Sequence, residues 1–163
     1  MDRTGEHTFV SYLAVSLWIS SMELAPDKIT QIVGIEPSYV RVRDSLIPGC
    51  GMSRRPEFNL HEWQFRKQLD LNLDNLASGD SEEFITGFLE EIKNSAPQIR
   101  ELSDGHNVMV SFVYHVNELP YIGLTRQQVS AIAALGAKLD YDLMVEGAIS
   151  DGTDGDSHLA GVE

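Results

Sequence analysis

A strand-to-helix pattern that occurs twice limits this chain more than any other feature. The stretch Val15–Gly34 runs from an alternating apolar segment through a short connection into a small amphipathic helix, and the same order returns from Val110 to Ile132. Leu24, Ile29, Thr30 and Ile32 are answered by Leu124, Val129, Ser130 and Ile132. Period-two segments followed by helical periodicity call for a sheet covered by helices. Such a repeat directs the search for a fold and leaves activity to be argued from particular residues.

Taken in order, Phe9–Ile19 alternates, with Leu13, Val15, Leu17 and Ile19 on one row and Tyr12, Ala14, Ser16 and Trp18 on the other, which predicts a half-buried strand. Pro26 suits a first helical turn, and the stripe Ile29, Ile32, Val33 ends at Gly34, a C′ residue. Tyr39–Arg43 allows a short extended piece before the irregular Pro48–Pro56 loop. Trp63, Phe65, Leu69 and Leu71 form the apolar row of a second strand, interrupted by Lys67, opposite Glu62, Gln64, Arg66 and Gln68. Asp80 and Glu83 have capping-box spacing before a long helix whose stripe is Phe84, Ile85, Phe88 and Ile92. Pro97 should kink or restart that helix, and its second part, carrying Ile99 and Leu102, stops near Asp104 and Gly105.

The apolar row Val108, Val110, Phe112, Tyr114, Val116 predicts a central third strand. Thr125 and Gln128 make a second capping box, with Leu124 placed to staple onto Val129 and Gly136 closing the helix. A fourth strand turns Leu139, Tyr141, Leu143 and Val145 inward and Lys138, Asp140, Asp142 and Met144 outward. One strongly apolar row per strand favours a mostly antiparallel sheet with helices on one face, because parallel sheets covered on both faces show continuous apolar runs. The expectation is an α+β two-layer sandwich, four-stranded and ferredoxin-like, built from two pseudo-repeated β-α-β halves. Residues 1–8 and the acidic tail 150–163 have little to bury and flank a single domain over 9–149.

At 163 residues and 42% hydrophobic content the chain can bury about two-thirds of its unfolded surface. No apolar run approaches the roughly 20 residues of a membrane span, and the charged start Met1–His7 lacks a signal sequence, so a cytoplasmic protein with no membrane contact is expected. A net charge of −13 argues against nucleic acid as a partner, since binding it requires cations to neutralise phosphates. Between Arg41 and Lys67, six basic side chains face three acidic ones, so this segment carries +3 and the remainder −16. Internal neutralisation of that segment against the acidic long helix is expected, with contact to an acidic ligand as the alternative.

The residues of common catalytic signatures are absent. His7, His61, His106, His115 and His158 show no metal-ligand pairing at helical spacing, and no phosphate loop, dinucleotide fingerprint or nucleophile elbow occurs. No cofactor and no metal are therefore expected. Cys50 stands alone between glycines without a neighbouring base. The Asp151–Asp156 run fails calcium-loop spacing, because Gly155 and Val162 occupy ligand positions. Asp140 and Asp142 share one strand face, roughly 7 Å apart.

With the elements placed, the motifs resemble a family catalogued as a domain of unknown function, DUF4279. The resemblance rests on the tyrosine-bearing first strand, the block Leu24–Pro37, Trp63 at the second strand and the closing Leu135–Asp142, covering about Phe9 to Glu146. Val42, Arg43 and Asp44 depart from the Lys-Gly-Asp that such proteins often carry. The resemblance implies a small, mostly bacterial cytoplasmic domain, and it supplies no activity.

These features favour a non-enzymatic acidic binding protein, for instance an immunity-type protein masking a basic protein partner. The alternatives are a small hydrolase or transferase using Asp140, Asp142 and His115, or a homodimeric structural module. If the helices cover one face of the sheet, the opposite rows bring Trp18, Gln64, Arg66, Ser111, His115, Asp140 and Asp142 onto one surface. An aromatic among convergent polar groups makes that surface the candidate recognition site.

Overall fold

The computed structural model describes residues 11–45, 59–71, 79–116 and 123–145. In chain order these form β1 (Ser11–Ser21), α1 (Pro26–Val33), β2 (Tyr39–Arg41), β3 (His61–Leu71), α2 (Asp80–Ile92), α3 (Ala96–Ser103), β4 (Asn107–Val116), α4 (Arg126–Ala134) and β5 (Lys138–Val145). The turn Lys93–Ser95 joins α2 to α3, and Pro97 sits in the first turn of α3. One five-stranded sheet results, in the order β2-β3-β1-β4-β5. β1 runs antiparallel to β3 and β4, and β2 antiparallel to β3, whereas β5 runs parallel to β4.

The architecture is α+β, as the row pattern requires, but the sheet has five strands and is mixed. The fifth strand is β2, whose three residues are too few to show a period. The parallel pair arises because α4 returns the chain to the end of the sheet where β4 began, so β5 repeats the direction of β4. Nor do the halves repeat in space. The strand after α1 lies two places from β1, with β3 between them, while the strand after α4 lies directly beside β4.

The helices gather over one face. Leu13, Val15, Leu17 and Ile19 of β1 are fully buried there with Trp63, Val110, Phe112, Ile29, Ile85, Phe88, Ile92 and Ile99 in one continuous core. Burying each such side chain contributes about 1.5–3 kcal/mol. Specific contacts fix the layers. Trp63 Nε1 donates to Thr30 Oγ1 of α1 at 3.0 Å, and Phe65 stacks on Phe88 of α2 at 5.4 Å. Ser95 Oγ donates to the Val33 carbonyl, tying the α2–α3 turn to α1. Lys67, the interruption in an apolar row, lies over the Phe65 ring and pairs with Glu91 of α2. That pair offsets one charge of the basic segment against the long helix, while Arg41 and Glu62 pair within the segment.

Helix termini divide the capping expectations. Thr125 and Gln128 form the reciprocal box that their spacing predicts. Asp80 and Glu83 do not, because the helix begins one residue earlier on Gly79, whose positive φ of 80° sets the entry and leaves no side-chain cap. Gly34 at φ 73° closes α1, its N–H donating to the Thr30 carbonyl at 2.7 Å. Gly136, also at positive φ, packs where a Cβ would collide with Ser103 and Arg100 of α3.

The two small helices turn different faces inward. Ile29 is buried where its counterpart Val129 is exposed, and Ile32 is exposed where Ile132 is buried. The inward stripe of α1 is Pro26, Ile29, Val33 and that of α4 is Gln128, Ile132, a rotation of about one residue. Leu124 packs against the core, whereas Val129 is exposed. β4 is interior rather than central, the centre being β1. The expected inward row of β5 is a further correction. Leu139, Tyr141 and Leu143 share the helix face but remain 48%, 41% and 39% exposed, because β5 is an outer strand. The expectations for residues 1–8, the Pro48–Pro56 loop with Cys50, and the tail 150–163 lie outside the described residues.

Candidate functional site

The face of the sheet opposite the helices is organised in rows that run across the strands. One row joins Arg66, Ser16, Ser111 and Asp140, and the next joins Tyr39, Gln64, Trp18, Met109 and Lys138. On the other side lie Gln68, Ala14, Val113 and Asp142, then Asp70, Tyr12, His115 and Met144. Strand alternation therefore brings all seven candidate residues to one face. At the usual strand spacing, Arg66 and Asp140 stand roughly 14 Å apart.

Accessibility separates them into three groups. Gln64 and Ser111, together with Ser16 and Ala14, are buried in the middle of the face. Trp18 and His115 are half-buried, and Arg66, Asp140 and Asp142 are exposed. The buried polar groups bond to neighbours, as burial demands. Gln64 Nε2 donates to Ser16 Oγ at 3.0 Å, and Ser111 Oγ donates to Asp140 Oδ2 at 3.3 Å. Arg66 Nη2 donates to Gln68 Oε1 at 3.2 Å.

Aromatic rings occupy two places on the same face. Trp18 meets Tyr39 edge-on at 6.3 Å, and Tyr12 meets His115 at 5.2 Å. At the β2 edge, Arg41 holds Glu62 with two bonds, Nε to Oε2 at 3.0 Å and Nη2 to Oε1 at 2.9 Å. The Glu62 carboxylate raises the Arg41 pKa beyond its ordinary value. Sequence reasoning missed Tyr39, Arg41 and Glu62 as a group. Tyr39 and Arg41 stand two apart in a segment predicted as extended, but three residues show no period and nothing near them in sequence points to Glu62.

The Ser111 hydroxyl donates to an exposed carboxylate rather than to a buried base. Nucleophilic catalysis would need a base oriented by a third group beside the hydroxyl. Among the described residues, no group of three or more His, Cys, Asp or Glu side chains is placed to hold a metal ion. Among the clefts lined by described residues on the helical side, two are the more spacious. One of about 490 Å³ opens between α2 and α4, lined by Thr86, Leu89, Arg126 and Ala131 among others, and one of about 740 Å³ opens between α1 and β2. Among the described residues, no helix is long and apolar enough to cross a membrane.

A sheet with helices on one face and a polar, aromatic-bearing opposite face defines an α+β domain class, which hosts many activities. Within it, this chain belongs to the family described as "Domain of unknown function (DUF4279)", whose model matches residues 9–146. Comparisons with curated proteins and with solved structures gave no match.

Proposed function

We propose that this protein is a non-enzymatic binding module that recognises a basic protein partner, in the manner of an immunity-type protein, through the helix-free face of its sheet. The observation that carries the reading is the exposure of Asp140 and Asp142 on one side of an outer strand, next to a face whose central polar groups bond to one another. Such a face has little free hydrogen-bonding capacity for a small substrate at its middle. Its accessible groups are Asp140 and Asp142 beside Lys138 on the β5 side, Arg66 and Tyr39 on the opposite side, and the half-buried Trp18 between them. Charge complementarity of this kind speeds encounter and rejects acidic competitors. The strand order β4-β1-β3-β2 also supports reading those strands and their crossovers as a ferredoxin-like unit, to which α4 and β5 are appended.

The test is capture from the native host, then reconstitution with the purified partner. A stoichiometric basic protein whose affinity drops with rising salt and with Trp18→Ala supports the reading. A partner indifferent to both, or turnover by the isolated chain in a broad substrate screen, overturns it.

A further inference from the structure

The outer edge of β5 is the least explained part of the molecule. Eight residues long, it pairs among the described residues only with β4, and seven of its residues are exposed. On the helix face it offers Leu139, Tyr141 and Leu143, with Tyr141 stacked on Phe112 at 5.0 Å and so held in position. On the other face stand Asp140 and Asp142, flanked by Met144 and by Lys138, whose ammonium donates to Asn107 Oδ1 at 2.9 Å. A long, exposed, apolar edge is a template for another strand, and natural sheets usually blunt one.

Resting on the binding reading above, we propose that the partner docks by adding an extended segment to β5 as a further strand. The segment alternates basic and apolar side chains, with the apolar ones covering Leu139, Tyr141 and Leu143 and the basic ones facing Asp140 and Asp142. Main-chain bonds along the edge supply affinity, and the two rows supply selectivity. Charge excludes the nearest competitors. Two-fold pairing with a second copy that matches the whole apolar row centres on Tyr141 and sets Asp140 against the copy's Asp142 twice, a repulsive arrangement. The chain's own residues 146–163 contain Glu146, Asp151, Asp154, Asp156 and Glu163 with no Lys or Arg, and so do not complement the edge.

The probe is a blocked synthetic peptide of alternating lysine and valine, titrated into the isotope-labelled full chain. Its controls are a peptide of the same composition with lysines and valines in separate blocks, and an alternating glutamate and valine peptide. The expected result is protection and shift of the β5 amides by the lysine peptide alone. Asp140→Lys with Asp142→Lys should lower that affinity by about tenfold or more and admit the glutamate peptide. Leu139→Ser with Leu143→Ser, at exposed positions that tolerate change, should weaken it independently. Shifts confined to the Trp18 face or the α2–α4 cleft, or equal binding of the block peptide, overturn the proposal. Self-association that Leu139→Ser with Leu143→Ser abolishes, without peptide binding, assigns the edge to a second copy and overturns it as well. A native basic partner that loses affinity with Trp18→Ala but ignores the aspartate reversal removes β5 as the docking strand and leaves the binding reading intact. Absence of both peptide and partner binding removes both.

Discussion

The two outer strands of this sheet solve the same problem in opposite ways. β2 is only three residues long and is pinned from β3. Ser38 Oγ both accepts from the Arg66 N–H and donates to its carbonyl, Arg41 grips Glu62, and the Arg43 N–H donates to His61 Nδ1 at 3.0 Å. A proline, Pro37, precedes it. β5 has more than twice the length, with apolar side chains exposed on one face and aspartates on the other. Although Tyr39 and Val40 are exposed, so short an edge, held to β3 by side chains, offers an incoming strand little room. The difference locates where the fold spends side chains on closing itself and where it does not.

Breaking the closed edge should have the largest effect. Arg41→Ala leaves Glu62, whose side chain is only 18% exposed, without its bidentate partner and should cost about 2 kcal/mol by urea denaturation. Replacing both residues by apolar ones of similar size should recover most of that loss. Next comes the connection into β5, where Gly136→Ala imposes a Cβ on a positive-φ residue packed against α3 and should cost about 1–2 kcal/mol.

Alkaline pH gives a third comparison. Burial pushes the Tyr114 pKa up to about 12, with Tyr141 of β5 as a lesser contributor, and Tyr141 itself is raised by burial. The unfolded tyrosine loses its proton near pH 10 while the folded one keeps it, so the contribution is fully present below that pH and is lost as pH rises through about 12. Melting temperatures measured at pH 8, 10 and 11 should fall more steeply for the native chain than for Tyr114→Phe. An equal slope would place the alkaline sensitivity elsewhere. The smallest effect belongs to the open edge, where Leu139→Ser and Leu143→Ser should each change stability by no more than about 0.5 kcal/mol. A larger loss would mean that β5 is closed after all.

Alternation made β1, β3, β4 and β5 legible in the sequence, and with them the membership of both faces, because a strand's period is two regardless of its neighbours. Strand order and direction lie beyond that signal. Nothing in Lys138–Val145 distinguishes a buried strand from an outer one, since the apolar row is the same in both cases and only the helical layer decides coverage. The rotation of α4 relative to α1 was hidden for a similar reason. Equivalent apolar residues at Ile29 and Val129 fit either phase, and packing selected one. For the candidate surface, Trp18 and Asp140 could be placed together by parity, while the burial of Gln64 and Ser111 depends on neighbours across four strands.

Gln128 carries a consequence for how the molecule comes apart. Its oxygen accepts from the Thr125 N–H at 2.9 Å, and its amide nitrogen donates to the Glu82 carbonyl and to Thr86 Oγ1, both at 3.0 Å. One buried carboxamide thus acts as a latch between α4 and α2, and its partners differ in chemical sense. A glutamate of the same shape would present an acceptor to the Glu82 carbonyl. Sliding α4 by a single turn would abandon both bonds to α2 together in a buried setting while the Thr125 cap travels with the helix, so intermediate positions are unfavourable. Release of α4 and its attached strand should therefore be all-or-none, and the amides of α4 and β5 should exchange with solvent as one unit, ahead of those in β1.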